Sequence, residues 1–223
     1  MKKFVIVVIG LVLAINAFAQ TPDWDLNLLD TARNVDYLTE EEKNVVLELN
    51  MARNNPAKYA EMYIVPRLEW FIDDDRYRVP GSTTTTRTNH TNTRPAVISA
   101  INIMSRLPAG LVPLTPSRGM SLAARDHTLD IGPKGLQGHT GSDRSSDSQR
   151  LARYGRRIGG GGETLSYGRD TAREVVIQLL QSTGHRNIIM NGSYRYTGLS
   201  MGIHSVWKNM CTIKFAGNFT DFQ

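Results

Sequence analysis

The sequence predicts an α+β domain with an antiparallel sheet, on three observations. Segments with helical spacing come first and strand-like segments come last, an order typical of α+β domains. The chain has 223 residues, enough for one domain with a substantial core. It has a single cysteine, so packing rather than a disulfide framework must hold the fold together.

The N-terminus has the layout of a secretory signal peptide. Two lysines precede an apolar run over residues 4–15, and Ala17-Phe18-Ala19 offers a cleavage site. The run is shorter than the ~20 residues that a membrane span requires. We therefore expect residues 1–19 to be removed, with no stable membrane span. The remaining chain is expected to be secreted, either periplasmic or extracellular.

The charge argues against a nucleic-acid partner. The formal net charge is +5, but the signal peptide carries Lys2 and Lys3 and no acidic residue. Without these two lysines, 24 basic and 21 acidic residues remain, which leaves a net charge of +3. A small excess of scattered charge does not form a basic surface for nucleic acid.

Local signals place the first elements after an N-terminal arm over residues 20–37, which we expect to be loose. Thr39 and Glu42 form a capping box in front of an apolar helical face. This helix should end before Pro56, which can begin a second short helix. Residues 73–95 are rich in threonine and poor in core-forming side chains, so we expect a surface loop.

The rest of the chain alternates helices with glycine-rich turns. A helix is predicted over residues 96–107, and another from Thr115-Pro116 to about Ile131. Shorter helices are expected over 148–154 and 171–182. Two strands should follow, joined by a turn near 207–209 and with Cys211 as a buried core residue.

His139, Glu163 and His185 are the candidate site. Each lies beside glycine and is expected outside a regular element, near a helix end. Two imidazoles and a carboxylate could hold a divalent cation, bind a polar ligand or move a proton. Their spacings match no short metal motif, and plain alternatives exist. The histidines could be solvated or helix-capping, and Glu163 could pair with Arg156 or Arg157.

Several motifs occur in a fixed order along the chain. They are the Asn-x-x-Arg pattern at Asn50 and Arg53, then "PLTPSRGMSLAARDHTLDIG", "GHTGSDRSSDSQRLARYG", "GGGGETLSYG", "VVIQLLQSTGHRNII" and "YTGLSMGIHSVWKNMCTIKFAGNF". With these motifs, most of residues 38–223, except for the threonine-rich insertion, resembles the CAP superfamily of cysteine-rich secretory, antigen 5 and pathogenesis-related 1 proteins, in its bacterial SCP-like branch.

The resemblance implies one domain with an α-β-α sandwich, a central antiparallel sheet, and a cleft lined by two histidines and two acids. Carried over by motif, these are His139, Glu163 and His185. Thr164 replaces the usual asparagine, and the second acid falls near Ser182, which has no carboxylate. Asp143 or Glu174 could compensate for that loss.

The implied function is the binding of a divalent metal, with zinc favoured, or of a small or lipid ligand. The alternative is a metal-assisted hydrolase acting on a peptide or cell-envelope component. No catalytic residue is identified, because a triad of Ser142, His139 and Asp143 would require adjacent residues to aim at one point. His127, on the apolar side of its helix, is interpreted as a core histidine.

Overall fold

The computed structural model describes residues 24–88 and 92–222, which form a sheet between two layers of helices. This is the α-β-α sandwich that the resemblance implies. The predicted signal peptide lies outside the described residues, as does His90 of the insertion. Within the described residues, no helix combines the length and apolar composition needed to cross a membrane.

The main sheet has four strands in the order β3-β5-β6-β4. They are β3 (Thr115–Pro116), β4 (Gly155–Tyr167), β5 (Tyr196–His204) and β6 (Lys208–Asp221). The β5–β6 hairpin confirms the two predicted C-terminal strands. The long strands pair antiparallel as predicted, whereas the two-residue β3 runs parallel to β5, so the sheet is mixed.

Helices cover both faces of this sheet. They are α1 (Leu26–Leu29), α2 (Glu40–Asn54), α3 (Pro56–Tyr59), α4 (Arg94–Met104), α5 (Arg118–Ile131), α6 (Asp147–Leu151), α7 (Ala172–Gln181) and α8 (Thr183–Ile189). The chain after α3 continues as π-helical and 3₁₀ turns to Trp70. The predicted capping box at Thr39 is formed, and Pro56 begins α3 as expected.

Period-two alternation along β6 separates two cores. Cys211, Ile213 and Phe215 pack into the larger core, together with apolar side chains of α2 and α7. Thr212 lies on the opposite face, where its hydroxyl is bonded to Thr128 of α5. Cys211 is the buried residue that the sequence predicted, and burial raises the pKa of its thiol far above the usual range.

Residues 24–37, the described part of the expected loose arm, are more ordered than predicted. Leu29 is buried in the larger core, and its carbonyl accepts a hydrogen bond of 2.8 Å from the Asn50 amide. One turn later on α2, Arg53 is fully buried. Its guanidinium donates to four backbone carbonyls, those of Val112, Ile189, Asn191 and Tyr194. The Asn-x-x-Arg pattern therefore joins α2 to distant loops.

The threonine-rich insertion contains a small hairpin. Strands β1 (Arg76–Tyr77) and β2 (Thr86–Arg87) pair antiparallel, and α4 begins at Arg94 rather than at residue 96. Residues 78–87 are all exposed, which agrees with the predicted surface position. Hydrogen bonds from Arg76 to the Asp73 carboxylate stabilise the turn before β1, although the insertion has few side chains that can form a core.

The predicted start of α5 was wrong in detail. Thr115 and Pro116 form β3, and Ser117 is the residue that caps α5, because its side chain accepts the Met120 N–H. Helix α5 also lies directly against β5 at Gly198. An added Cβ there would lie 2.3 Å from backbone atoms of Met120 and Ser121, so only glycine permits this approach.

The glycine-rich segment 159–162 is part of β4, which the sequence did not predict. Only Gly159 has a positive φ, at 81°, and the register with β6 shifts between Ile158 and Gly161. A bulge of this kind lets the strand bend around a segment without side chains. The 171–182 helix was predicted correctly, but a further helix, α8, follows it at once.

Candidate functional site

The site lies at β4, the edge strand of the main sheet within the described residues. His139 belongs to the loop between α5 and α6, as predicted. The other two candidates lie within regular elements rather than outside them, since Glu163 is in β4 and His185 is in α8. The three candidates therefore come from a loop, a strand and a helix.

The central contact joins His139 to Glu163. His139 Nδ1 lies 2.9 Å from Glu163 Oε1. The His139 side chain is 53% exposed, whereas the Glu163 side chain is only 3% exposed. A carboxylate can only accept here, so Nδ1 carries the hydrogen and Nε2 of the neutral ring keeps a free lone pair. The buried carboxylate therefore fixes the tautomer and orientation of a solvent-facing imidazole.

Two buried cations hold that carboxylate in place. Lys214 is the cross-strand partner of Glu163 on β6, and its Nζ lies 2.6 Å from Glu163 Oε2. Arg150 Nη2 lies 3.1 Å from the same oxygen and also donates to the His139 carbonyl at 2.9 Å. Lys214 makes a second ion pair of 2.5 Å with Asp147. Glu163 is therefore a buried anion with fully matched partners.

Burial alone would raise the pKa of Glu163 by disfavouring its charged form. The His139 hydrogen bond and the charges of Lys214 and Arg150 outweigh burial, so the pKa lies well below its usual range. The carboxylate consequently stays ionised as an acceptor for His139 over the whole neutral and mildly acidic range.

The loop before His139 is fixed by two rings, one buried and one half-buried. His127 is fully buried, and its Nε2 donates to the Gly138 carbonyl at 2.9 Å. Tyr167 accepts the Gly138 N–H through its hydroxyl at 3.1 Å. Gly138 itself has a φ of 98°, which favours glycine. The core interpretation of His127 is thus confirmed, and the residue also positions the loop that carries His139.

His185 approaches the same region from α8. It is half-buried, and burial lowers its pKa below the usual value, with a further lowering by the charge of His139. The charge of His139 therefore acts on His185, which places the two imidazoles in the same region. His185 stays neutral, and able to act as a ligand, at a lower pH than an ordinary histidine.

Glu163 does not fit the expected role of a direct metal ligand. Its oxygens are already bonded to His139, Arg150 and Lys214, and a metal ion beside them would add a third positive charge. Over residues 24–88 and 92–222, no three His, Cys, Asp or Glu side chains are placed to hold an ion together. The two imidazoles remain suitable donors, with Glu163 behind one of them.

Asp143 and Glu174, the two acids that could compensate for Ser182, make contacts outside the candidate site. Asp143 accepts the Ser145 N–H at 2.8 Å and pairs with Arg153 at 3.0 Å, and these bonds lower its pKa to about 2. Glu174 lines a separate groove beside Arg67. The alternative pairs of Glu163 with Arg156 and Arg157 are not formed. Arg157 instead contacts Asp147 at 3.1 Å.

The serine triad is also not formed. Ser142 Oγ lies 2.5 Å from both Asp130 and Lys134, so the hydroxyl is bonded to an ion pair rather than to His139. Ser182 separates α7 from α8 and makes no side-chain cap bond. No described residue takes the place of the second acid.

Sequence reasoning missed Arg150, Lys214 and Asp147. One signal for Lys214 was available, because it is the single charged residue in the apolar strand "MCTIKFAG". A lysine in such a strand requires a buried anion as partner. Identifying Glu163 as that partner required the register of β4 against β6, and β4 itself was not predicted.

Comparison with known proteins gives a consistent assignment. Residues 86–215 match the family described as "CAP: Cysteine-rich secretory protein family". A curated relative, protein YkwD of Bacillus subtilis, is 27% identical over 132 residues, which are 56% of this chain. The matched region spans about half the length of that relative, 51%.

Three solved structures are similar in part. An outer surface protein of Borrelia burgdorferi matches 46% of this chain and 76% of its own, with a TM-score of 0.42 and 18% identity. An extracellular protein of Bacillus anthracis containing an SCP domain matches 55% of this chain and 37% of its own, with a TM-score of 0.37 and 19% identity. A cysteine-rich secretory protein of Staphylococcus aureus matches 64% of this chain and 46% of its own, with a TM-score of 0.38 and 15% identity.

Proposed function

Since the chain belongs to the CAP family, we propose that its cleft binds a divalent metal ion through the imidazoles of His139 and His185. The hydrogen bond from His139 Nδ1 to the buried Glu163 carboxylate carries this proposal. It leaves Nε2 of an exposed ring as a free donor, which is how carboxylate–histidine pairs support metal ions. Zinc is the favoured ion, because it accepts neutral imidazole nitrogens readily.

In this proposal Glu163 supports His139, whereas in a three-ligand site it would contact the ion directly. Arg150 and Lys214 keep its carboxylate ionised, so that it orients His139 from behind rather than touching the ion. Two protein ligands leave several coordination positions for a small polar ligand. No observation favours a hydrolase over this binding role, since Ser142 is bonded to Asp130 rather than to His139 and no third metal ligand lies among the described residues.

Export belongs to the same proposal. The predicted signal peptide over residues 1–19 would deliver the domain outside the cytoplasm, and one structural relative is described as extracellular. Cys211 is buried and unpaired, so an oxidising compartment has no accessible thiol to modify among the described residues.

Thermal unfolding with and without zinc tests the metal site. An ion that binds only the folded state stabilises it by about 2.7 kcal/mol at a hundredfold excess over Kd. Zinc should therefore raise the Tm at pH 7.5, and His139→Ala and His185→Ala should each abolish the shift. Imidazole binds a metal only when neutral, so the shift should shrink as the pH falls towards 5.

Asp143→Asn is the matched control for the metal titration. Asp143 lies in the same loop as His139, but its carboxylate pairs with Arg153, so this substitution should preserve the zinc shift. An unchanged Tm of the unsubstituted protein at pH 7.5 would remove the metal proposal. An equal loss of the shift in Asp143→Asn would place the ion elsewhere in the loop.

A further inference from the structure

A second concave site lies between the threonine-rich insertion and α7, apart from the histidine cleft. Its enclosed volume is small, about 40 Å³, and it opens to solvent, so a bound molecule would lie along the groove and partly outside it. Three aromatic side chains, Trp70, Phe71 and Tyr77, form part of its wall. The rings of Phe71 and Tyr77 pack with centroids 5.9 Å apart, so this part of the wall is already formed.

Two guanidinium groups face the same space, and the lining contains a single carboxylate, that of Glu174. Arg67 and Arg169 both line the groove, and neither forms an ion pair with any residue in the described part of the chain. Arg169 donates one bond of 3.3 Å to Asn92, but its Nε is buried and has no hydrogen-bond partner among the described residues. A buried donor of this kind costs free energy unless a ligand satisfies it.

The charge balance of the groove indicates the charge of its ligand. Glu174 lines the groove and partly offsets the charge of Arg67, which leaves one excess positive charge. Burial lowers the pKa of Arg67. The Glu174 carboxylate opposes this effect, and the charge of Arg169 lowers the pKa further. A monoanion between the two guanidinium groups would neutralise the site without overcompensating it.

We propose that this groove binds a small aromatic monocarboxylate. Its carboxylate would accept hydrogen bonds from Arg67 and Arg169, whose planar guanidinium groups match such an anion. The ring would pack against Trp70, Phe71 and Tyr77, where stacked and edge-on contacts favour an aromatic body over an aliphatic one. Arg67 already lies 5.0 Å from the Trp70 ring centroid, so one guanidinium is held at the aromatic wall.

Isothermal titration calorimetry with indole-3-acetate and indole-3-acetamide tests the carboxylate. The two probes have nearly the same shape and differ in charge. We expect the acetate to bind at least about tenfold more tightly, since a charge-assisted hydrogen bond is worth about that much. Hexanoate has the carboxylate without the ring and should bind more weakly than indole-3-acetate. Equal affinities for the acetate and the acetamide would overturn the proposal, and hexanoate as tight as indole-3-acetate would overturn its aromatic part.

Matched arginine variants locate the binding. Arg67→Met and Arg169→Met should each weaken indole-3-acetate about tenfold or more, whereas Arg106→Met, which removes an exposed guanidinium outside the groove, should leave the affinity unchanged. Arg67→Lys keeps the charge in a folded groove and should bind with intermediate affinity. If Arg67→Met and Arg169→Met retain the original affinity, or if the unsubstituted protein shows no binding at millimolar concentration, the site is refuted.

Discussion

Replacing Lys214 with methionine tests whether the buried ion network behind His139 stabilises the fold. Lys214 is fully buried and pairs with Glu163 at 2.6 Å and with Asp147 at 2.5 Å. Removing one partner of a buried ion pair typically costs about 3–5 kcal/mol. Arg150 still contacts Glu163, and Arg157 still contacts Asp147, so neither carboxylate is left alone. We therefore expect a loss near the lower end, about 3 kcal/mol.

Urea unfolding at pH 7 measures this loss, with an unchanged m-value confirming that only stability has altered. Lys134→Met is the matched control, because Lys134 forms an ion pair of the same length with Asp130 but is 52% exposed. Exposed pairs contribute about 0–1 kcal/mol, so the control should lose little. A loss in Lys214→Met no larger than that of the control would refute the argument that burial makes this network important.

The same pair of proteins gives a pH dependence with a defined sign. The folded-state pKa of Glu163 lies below its ordinary value, so the stabilisation is present above about pH 4.3 and is lost as the pH falls through the folded-state pKa. The difference in unfolding free energy between the unsubstituted protein and Lys214→Met should therefore be full at neutral pH and shrink in strong acid. A difference that grows on acidification would contradict an ionised Glu163.

Two further predictions concern the backbone. Gly198→Ala should lower stability by about 1–3 kcal/mol, because the added Cβ would overlap α5. At Gly184 an added Cβ has nothing within 4 Å, so Gly184→Ala should be neutral or slightly stabilising. Thermal unfolding of both variants tests this, and equal Tm values would contradict it. Trypsin should cut first at the exposed Arg78 or Arg87 in the insertion. Mass spectrometry of early fragments would show these cuts, and a first cut within the helical layers would contradict the prediction.

The helices that the sequence predicted correctly are those with local signals. The capping box at Thr39 and the proline at residue 56 specify their boundaries through groups a few residues apart. Strand β4 lacks such signals, since four successive glycines offer neither alternation nor β-branched side chains. Its conformation comes from antiparallel pairing with β6, a contact between segments far apart in sequence. The same applies to α8, because Gly184 reads locally as a helix stop but lies inside a new helix.

The candidate site divides in the same way. Glycine-flanked polar residues and family motifs led to the prediction of His139, Glu163 and His185, and the structure shows the contact between the first two. The role of Glu163 could not be predicted, because its cationic partners lie 13 and 51 residues away in sequence. Whether a carboxylate contacts an ion directly or supports a histidine depends on those partners. Residue identity alone leaves both roles open.

The four carbonyl bonds of Arg53 also restrict when this chain can fold. The acceptors lie between 59 and 141 residues beyond Arg53 in the chain. A nascent chain that has not yet reached Ile189 lacks three of the four acceptors and would have to bury this cation with donors unsatisfied, which is strongly unfavourable. Helix α2 can thus be synthesised early but cannot be locked into its native place until most of the polypeptide has emerged. The second helix of the domain is in this respect among the last to be completed.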